Sequence, residues 1–189
     1  RSARSGQRNG SKVTGIGIGQ CFHSAGRNSY DGLVRITPDG MLHIHTGVGN
    51  LGTYSHTATS RVAAEILKYD WENCIVVRGD SRQHLAWAPT QTGSNTSFTC
   101  TRTSYVAAMD ALQKLKEIAA MDLGGTPEDY DIADESVFLK SDPSASMTFA
   151  AAAQRAVELG GKYSGEEAPT DIHDVTRMAV AGLAGTGLV

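Results

Sequence analysis

Residues 47–57, GVGNLGTYSHT, stand between a strand-like run and a helix-like run. Residues 42–46 have a strand-like pattern, and residues 58–68 carry apolar residues along one helical side. A glycine-rich loop that enters a helix brings free backbone N–H groups and the positive end of the helix dipole to one point. The stretch therefore indicates a place for an anionic group such as a phosphate, although most loops of this kind bind nothing.

Composition narrows the class of protein. The chain has 189 residues, of which 40% are hydrophobic and 20% are charged, as in an ordinary globular domain. A net charge of -3 and an aromatic content of 6% argue against a nucleic-acid partner or an anionic membrane surface. No apolar run approaches the roughly 20 residues that span a bilayer, so we expect no transmembrane segment.

Three cysteines, Cys21, Cys74 and Cys100, lie far apart in the sequence. Three thiols are too few for a four-cysteine zinc site or iron–sulfur cluster. We expect them to be buried, reduced thiols, which is typical of a cytoplasmic protein.

Around the first loop, the pattern predicts an α+β fold with a mixed sheet and packed helices. Pro38, Asp39 and Gly40 indicate a hairpin between two of the strands. The predicted strands cover residues 13–24, 32–37, 41–46, 73–79 and 136–140. Two further helices are predicted, one ending near Ala120 and one running from a cap at Ser146 or Thr148 to Leu159.

A second polar loop, residues 92–97 (TGSNTS), leads into the longer of these helices. The helix is expected to bury a stripe of apolar side chains: Val106, Met109, Leu112, Leu115 and Ile118. If the helices after both loops begin at the same point, their dipoles add at one anion site.

Other features have plainer interpretations. His43 and His45 share a strand face that we expect to be half exposed, with no third metal ligand evident. Residues 127–135 are acidic but lack the spacing of a calcium loop, so a solvated turn is expected. The chain has no phosphate-binding P-loop, nucleophile elbow, HExxH or dinucleotide fingerprint, and we predict no catalytic residue and no metal ligand.

Taken in order, several stretches resemble one family. They are GIGIG near residue 15, DGLVRITPDGMLHIHTGVGNLGTYSHT, RVAAEIL, VVRGDS, TGSNTS and YVAAMDALQKL. Together they are similar to the large, molybdenum-cofactor subunit of the xanthine dehydrogenase and aldehyde oxidoreductase family, the molybdenum hydroxylases. The similarity runs from about residue 12 to residue 120, and we expect it to continue to the end of the chain.

The resemblance implies which residues contact a molybdopterin cofactor. In the first loop these are Gly52, Thr53, Tyr54 and Ser55; in the second they are Gly93, Ser94, Asn95, Thr96 and Ser97. Thr53 stands where the family usually has glutamine, and Tyr54 where it usually has glycine. These two departures put the usual metal-side contact and the usual substrate in doubt.

The family's large subunit is several times longer than this chain, and its glycine-rich stretch before this region and its late stretch with the catalytic glutamate are not found here. We therefore expect this chain to form part of a molybdopterin-binding domain that other chains complete. The first residue, Arg1, and the last residues, GLAGTGLV, favour the same expectation. Residues 1–12 form a flexible lead-in and 13–189 the partial domain. Within it, residues 13–120 carry the cofactor loops and 121–189 are a strand and helix extension.

The resemblance implies that the chain is one subunit of an enzyme that hydroxylates an aromatic, heterocyclic or aldehyde carbon with oxygen from water. It implies that the subunit is inactive alone. Its molybdenum sits on molybdopterin, in the cytosine dinucleotide form in many bacteria, and partner subunits carry iron–sulfur clusters and FAD. Two alternatives remain open. One is a branch with reductive or hydroxyl-transfer chemistry on aromatics, and the other is a cofactor-free scaffold in which Tyr54 fills the pterin groove.

Overall fold

A mixed sheet organises the chain. Its strands are β3 (Asp31–Ile36), β4 (Leu42–His45), β5 (Cys74–Val77) and β9 (Leu183–Leu188), in the order β5-β4-β3-β9. Strands β4 and β5 are parallel, and the other two pairs are antiparallel. The computed structural model describes residues 5–23, 25–26, 30–80, 82, 85–88, 90–164 and 182–188. The predicted α+β class with a mixed sheet and packed helices is confirmed.

Helix α1 (Ser55–Leu67) connects the two parallel strands β4 and β5. Parallel neighbours cannot be joined by a tight turn, so a crossover element is required between them. The helix begins three residues before the predicted start at residue 58, because the last residues of the glycine-rich loop already form its first turn. The predicted hairpin of β3 and β4 is present, with Thr37 N–H donating to Met41 O at 3.0 Å.

Helix α2 (Thr101–Leu123) follows a π-helical turn, Thr96–Cys100, and packs on β3, β9 and α1. The predicted apolar stripe is wrong over its first half, since Val106 and Met109 are 37% and 40% exposed. The buried side instead carries small residues such as Ala107 and Ala111. A β-carbon on Gly185 would lie 2.2 Å from Ala107 O, so strand β9 approaches too closely for larger side chains.

A second, three-stranded sheet contains β6 (Tyr130–Ala133), β7 (Ser136–Leu139) and β8 (Asp142–Thr148), in that order. The expected solvated turn at residues 127–135 is therefore wrong for its second half. Tyr130 and Ile132 alternate with the acidic residues and are buried, which makes this segment a strand.

Helix α3 (Phe149–Leu159) begins and ends where predicted: Thr148 Oγ1 accepts from Ala151 N–H at 3.2 Å, and Gly160 follows the last residue. A short helix α4 (Gly161–Ser164) comes next. Both sheets and helices α1 to α3 share one buried apolar cluster, which includes Ile44, Leu115 and Phe149.

The first residues form an exposed hairpin of β1 (Gln7–Asn9) and β2 (Lys12–Thr14). A flexible lead-in was predicted over residues 1–12, and the described part of that segment contains β1. Of the strand predicted for residues 13–24, only its beginning belongs to β2; residues 15–23 have no regular structure, and residue 24 lies outside the described residues. Strand β9 was not predicted at all.

Candidate functional site

One cavity of about 290 Å³ lies between the two glycine-containing loops. Helix α1 begins directly after the first loop, and the helical turn before α2 begins within the second. The sequence-based expectation that the two loops meet is therefore matched by the geometry. Six of the residues predicted for the site line the cavity: Thr53, Ser55, Ser94, Asn95, Thr96 and Ser97.

The three other predicted residues do not line the cavity. Gly52, Tyr54 and Gly93 have positive φ angles of 78°, 54° and 55°, so their part is to turn the backbone. The Tyr54 side chain is 80% exposed, and the cavity stays open beside it.

Each loop passes through a left-handed residue just ahead of its helical segment. These residues are Tyr54 at φ 54° and Ser94 at φ 56°, each preceded closely by a glycine that also has positive φ. The left-handed region costs an L-residue roughly 1–2 kcal/mol, and such strain concentrates at functional sites. Both loops thus enter their helical segments through left-handed backbone.

Hydrogen bonds fix the first loop on its cavity side. Ser55 Oγ donates to Gly49 O at 3.0 Å and accepts from Gln91 Nε2 at 3.2 Å. Thr53 N–H donates to Asn50 Oδ1 at 3.0 Å. These contacts hold the loop in a defined shape with the Thr53 and Ser55 side chains beside the cavity.

The first loop also contacts His56 in the first turn of α1. His56 Nε2 lies 2.7 Å from Val48 O, and its Nδ1 lies 2.6 Å from Arg78 Nη1. His56 does not line the cavity.

The second loop is tied to the first by a small buried cluster of Tyr30, Val48 and Cys100. Thr46 Oγ1 accepts from Val48 N–H at 3.3 Å and lies 4.0 Å from Cys100 Sγ. Burial raises the pKa of the Tyr30 hydroxyl. The bases of both loops are therefore packed together.

Sequence analysis missed five cavity residues: Leu51, Ala58, Thr59, Gln91 and Thr92. Leu51 and Thr92 stood inside the two loops but were not singled out. Gln91 precedes the second loop by one residue, and a polar residue next to a predicted site loop is the signal that could have identified it.

Two of the plainer interpretations need correction. His45 is only 5% exposed and His43 is partly exposed, so the histidine face is not half exposed throughout. Cys21 is exposed rather than buried, whereas Cys100 is buried and Cys74 is partly so. Within the described part of the chain, the cysteines form no disulfide.

Comparison with known proteins gives the class to which this fold and cavity correspond. Residues 1–181 match the molybdopterin cofactor-binding domain family, and the chain belongs to that family.

Among curated relatives, the chain is 33% identical over 139 residues to the aldehyde oxidoreductase molybdenum-binding subunit PaoC of Escherichia coli O157:H7. It is 32% identical over 139 residues to the same subunit of E. coli strain K12. The matched region is 72% of this chain in both cases, and it spans only 18% of the length of each relative.

Solved structures share the fold. A Cu,Mo-CO dehydrogenase superposes with a TM-score of 0.63 at 18% identity, over 85% of this chain and 18% of that chain. Quinoline 2-oxidoreductase from Pseudomonas putida 86 gives a TM-score of 0.59 at 20% identity, over 85% of this chain and 19% of that chain. At these identities the likeness establishes the fold.

The cavity lining has the chemistry that a molybdopterin phosphate requires. Its described residues supply hydroxyl groups, side-chain amides and backbone N–H groups, all of which can donate to an anion, and none of these residues is ionisable. Two helical N-termini contribute positive partial charge. The donor set therefore fits the phosphate end of the cofactor.

Proposed function

We propose that this chain supplies two cofactor-holding loops to a molybdopterin-dependent oxidoreductase. The observation that carries the proposal is the single cavity formed by the starts of both helical segments. Membership of the molybdopterin cofactor-binding domain family supports it independently.

Within this proposal, hydroxyl-bearing side chains would hold the anionic part of the cofactor. Thr53 and Ser55 lie on the first loop, and Ser94, Thr96 and Ser97 lie on the second, so donors approach the cavity from both sides. When bound, the cofactor supplies metal-centred redox chemistry. This chain's own contribution is to bind and orient it, since no catalytic base is identified among the described residues.

We further propose that the complete enzyme hydroxylates an aromatic, heterocyclic or aldehyde carbon with oxygen from water. Support comes from the relatives, which include aldehyde oxidoreductase molybdenum-binding subunits. The proposal includes the cytosine dinucleotide form of the cofactor, and iron–sulfur and FAD subunits that carry electrons away. It also includes a cytoplasmic location, which the unpaired thiols of the described cysteines favour. Among the helices described, none has the length and apolar character needed to cross a bilayer.

Partner chains that complete the molybdenum-binding subunit are part of the same proposal. The segment that follows β2 exposes large apolar side chains: Ile16, Ile18 and Phe22 are 53%, 96% and 92% exposed. Apolar surface of this kind is costly in water and is commonly covered by a partner.

The alternative of a cofactor-free scaffold loses its main argument. It required Tyr54 to fill the groove between the loops, and Tyr54 points into solvent outside the cavity lining.

The proposal is tested by placing a negative charge in the cavity with Ser97→Glu in the purified enzyme complex. An acidic residue in the first turn suits the helix dipole, so the fold should tolerate the change. A bound anion would be repelled, and we expect molybdenum and pterin per chain to fall by more than about tenfold. Valine at Gly52 or Gly93 is a poorer test, because both have positive φ angles and a side chain there is strained.

Ser146→Glu is the matched control, since Ser146 is an exposed residue of strand β8 in the other sheet. It should leave molybdenum and pterin content unchanged. Unchanged content in Ser97→Glu would remove the second loop from the site. Equal losses in both variants would mean that the loss does not depend on the cavity.

A further inference from the structure

A chain of two hydrogen bonds joins the first loop to residues outside the cavity lining. Arg78 Nη1 lies 2.6 Å from His56 Nδ1, and His56 Nε2 lies 2.7 Å from Val48 O. A guanidinium can only donate, and a carbonyl can only accept. Nδ1 must therefore be unprotonated and Nε2 must carry the proton, so the two partners select one neutral form of the ring.

The three residues belong to three different parts of the fold. Val48 is the second residue of the first loop, His56 lies in the first turn of α1, and Arg78 comes directly after β5. The imidazole therefore ties the beginning of the loop to the helix at its end, and Arg78 anchors that ring to the neighbouring parallel strand.

This tie acts on a segment that has little intrinsic rigidity. Gly47, Gly49 and Gly52 lie in the loop, and glycine leaves the backbone more freedom than any other residue. Ser55, which lines the cavity, holds the loop through Gly49 O, and the adjacent His56, which does not line it, holds the loop through Val48 O. Successive residues of one helical turn thus hold two different carbonyl groups of the loop.

We infer that Arg78 is a positioning residue that acts through His56 to hold the first loop in its cofactor-binding shape. The inference rests on the proposed function of the loop. Arg78 is exposed and lies outside the cavity lining, so its effect on a ligand is indirect.

The test compares the variants Arg78→Met and His56→Phe and the double variant. Each is purified as the same complex as the unmodified protein. The first readout is hydrogen exchange of residues 47–55 in cofactor-free material. Loss of one such hydrogen bond should accelerate exchange there by about threefold to tenfold. The melting temperature should stay close to that of the unmodified protein, because Arg78 is an exposed residue and substitutions at such positions usually change stability little.

The second readout is the rate at which molybdenum and pterin are lost from the loaded complex during dialysis. Each single variant should lose cofactor about threefold to tenfold faster. The double variant should be no worse than the more affected single variant, because both changes remove the same chain of contacts. Arg78→Lys keeps a donor and should restore part of the retention.

Arg61→Met is the matched control: Arg61 is an exposed arginine on the same helix, with an ion pair to Glu65 at 3.9 Å. It should change neither readout. Unchanged exchange in Arg78→Met, or additive effects in the double variant, would overturn the inference. If Ser97→Glu lowers cofactor content and Arg78→Met does not change retention, the positioning role fails while the proposed site stands.

Discussion

Gly47, the first residue of the first loop, has no room for a side chain. A β-carbon there would lie 2.2 Å from Ala86 O, a backbone atom. Because carbon and oxygen atoms normally approach to about 3.5 Å, Gly47→Ala requires the two segments to separate by more than about 1 Å.

Both segments are anchored, so the separation is costly. Thr46 N–H donates to Val77 O at 3.0 Å, and Asp31 N–H donates to Trp87 O at 3.1 Å. Overpacking typically costs 1–3 kcal/mol, and a contact between two anchored backbones belongs at the upper end, at about 2–3 kcal/mol. For a chain of this size, that cost should lower the melting temperature by about 5–10 °C.

Thermal and denaturant unfolding of the purified protein measure the effect. Gly49→Ala serves as the control within the same loop, because its nearest neighbour is Gln91 Oε1 at 3.2 Å, the end of a flexible side chain. It should cost less than about 1 kcal/mol. A melting temperature for Gly47→Ala within about 1 °C of the unmodified protein would refute the close approach of the loop to residue 86.

Two further predictions concern a strained residue and an exposed cap. The Tyr54→Gly variant should be more stable than the Tyr54→Ala variant by about 1 kcal/mol. The residue has a φ of 54°, and alanine keeps the β-carbon that makes this conformation unfavourable. Equal free energies of unfolding in denaturant would contradict the left-handed turn. Asp129 accepts hydrogen bonds from Thr126 N–H at 2.8 Å and Thr126 Oγ1 at 2.9 Å, and these hold the pKa of its carboxyl below the usual value. The stabilisation of the folded protein by these hydrogen bonds is therefore present at a pH above the ordinary aspartate pKa. It is lost as the pH falls through the lowered pKa of Asp129. Asp129→Asn should have a lower melting temperature than the unmodified protein at pH 7, and the same melting temperature near pH 2. A difference in melting temperature that persists in acid would show that the carboxylate charge is not responsible.

Much of the site could be predicted from local sequence. Glycines and hydroxyl residues before two helical patterns identified both loops, and six of the nine residues named in advance line the cavity. Gln91 was missed because it lies one residue outside the predicted loop, and its position beside that loop does not show which group its side chain contacts. Its amide reaches Ser55 Oγ at 3.2 Å across 36 positions of the chain, and no local pattern encodes that contact.

The buried side of α2 illustrates the same limit in the fold. Periodicity favoured Val106 and Met109 because they are large and apolar, yet the helix buries Ala107 and Ala111. That choice depends on strand β9, whose Gly185 comes close to the helix backbone. Strand β9 itself is a glycine-rich segment with weak β-propensity, and it becomes a strand through its pairing with β3.

The sequence alone determined the α+β class, the hairpin at residues 38–40, the end of α3 at Gly160 and the two polar loops, because each depends on neighbouring residues. The tertiary structure decided that the two loops share one cavity, that Tyr54 points away from it, and that Arg78 reaches His56 across 22 positions. These features depend on where separate strands and helices come together, and the position of one element relative to another is set by packing of the whole chain rather than by local pattern.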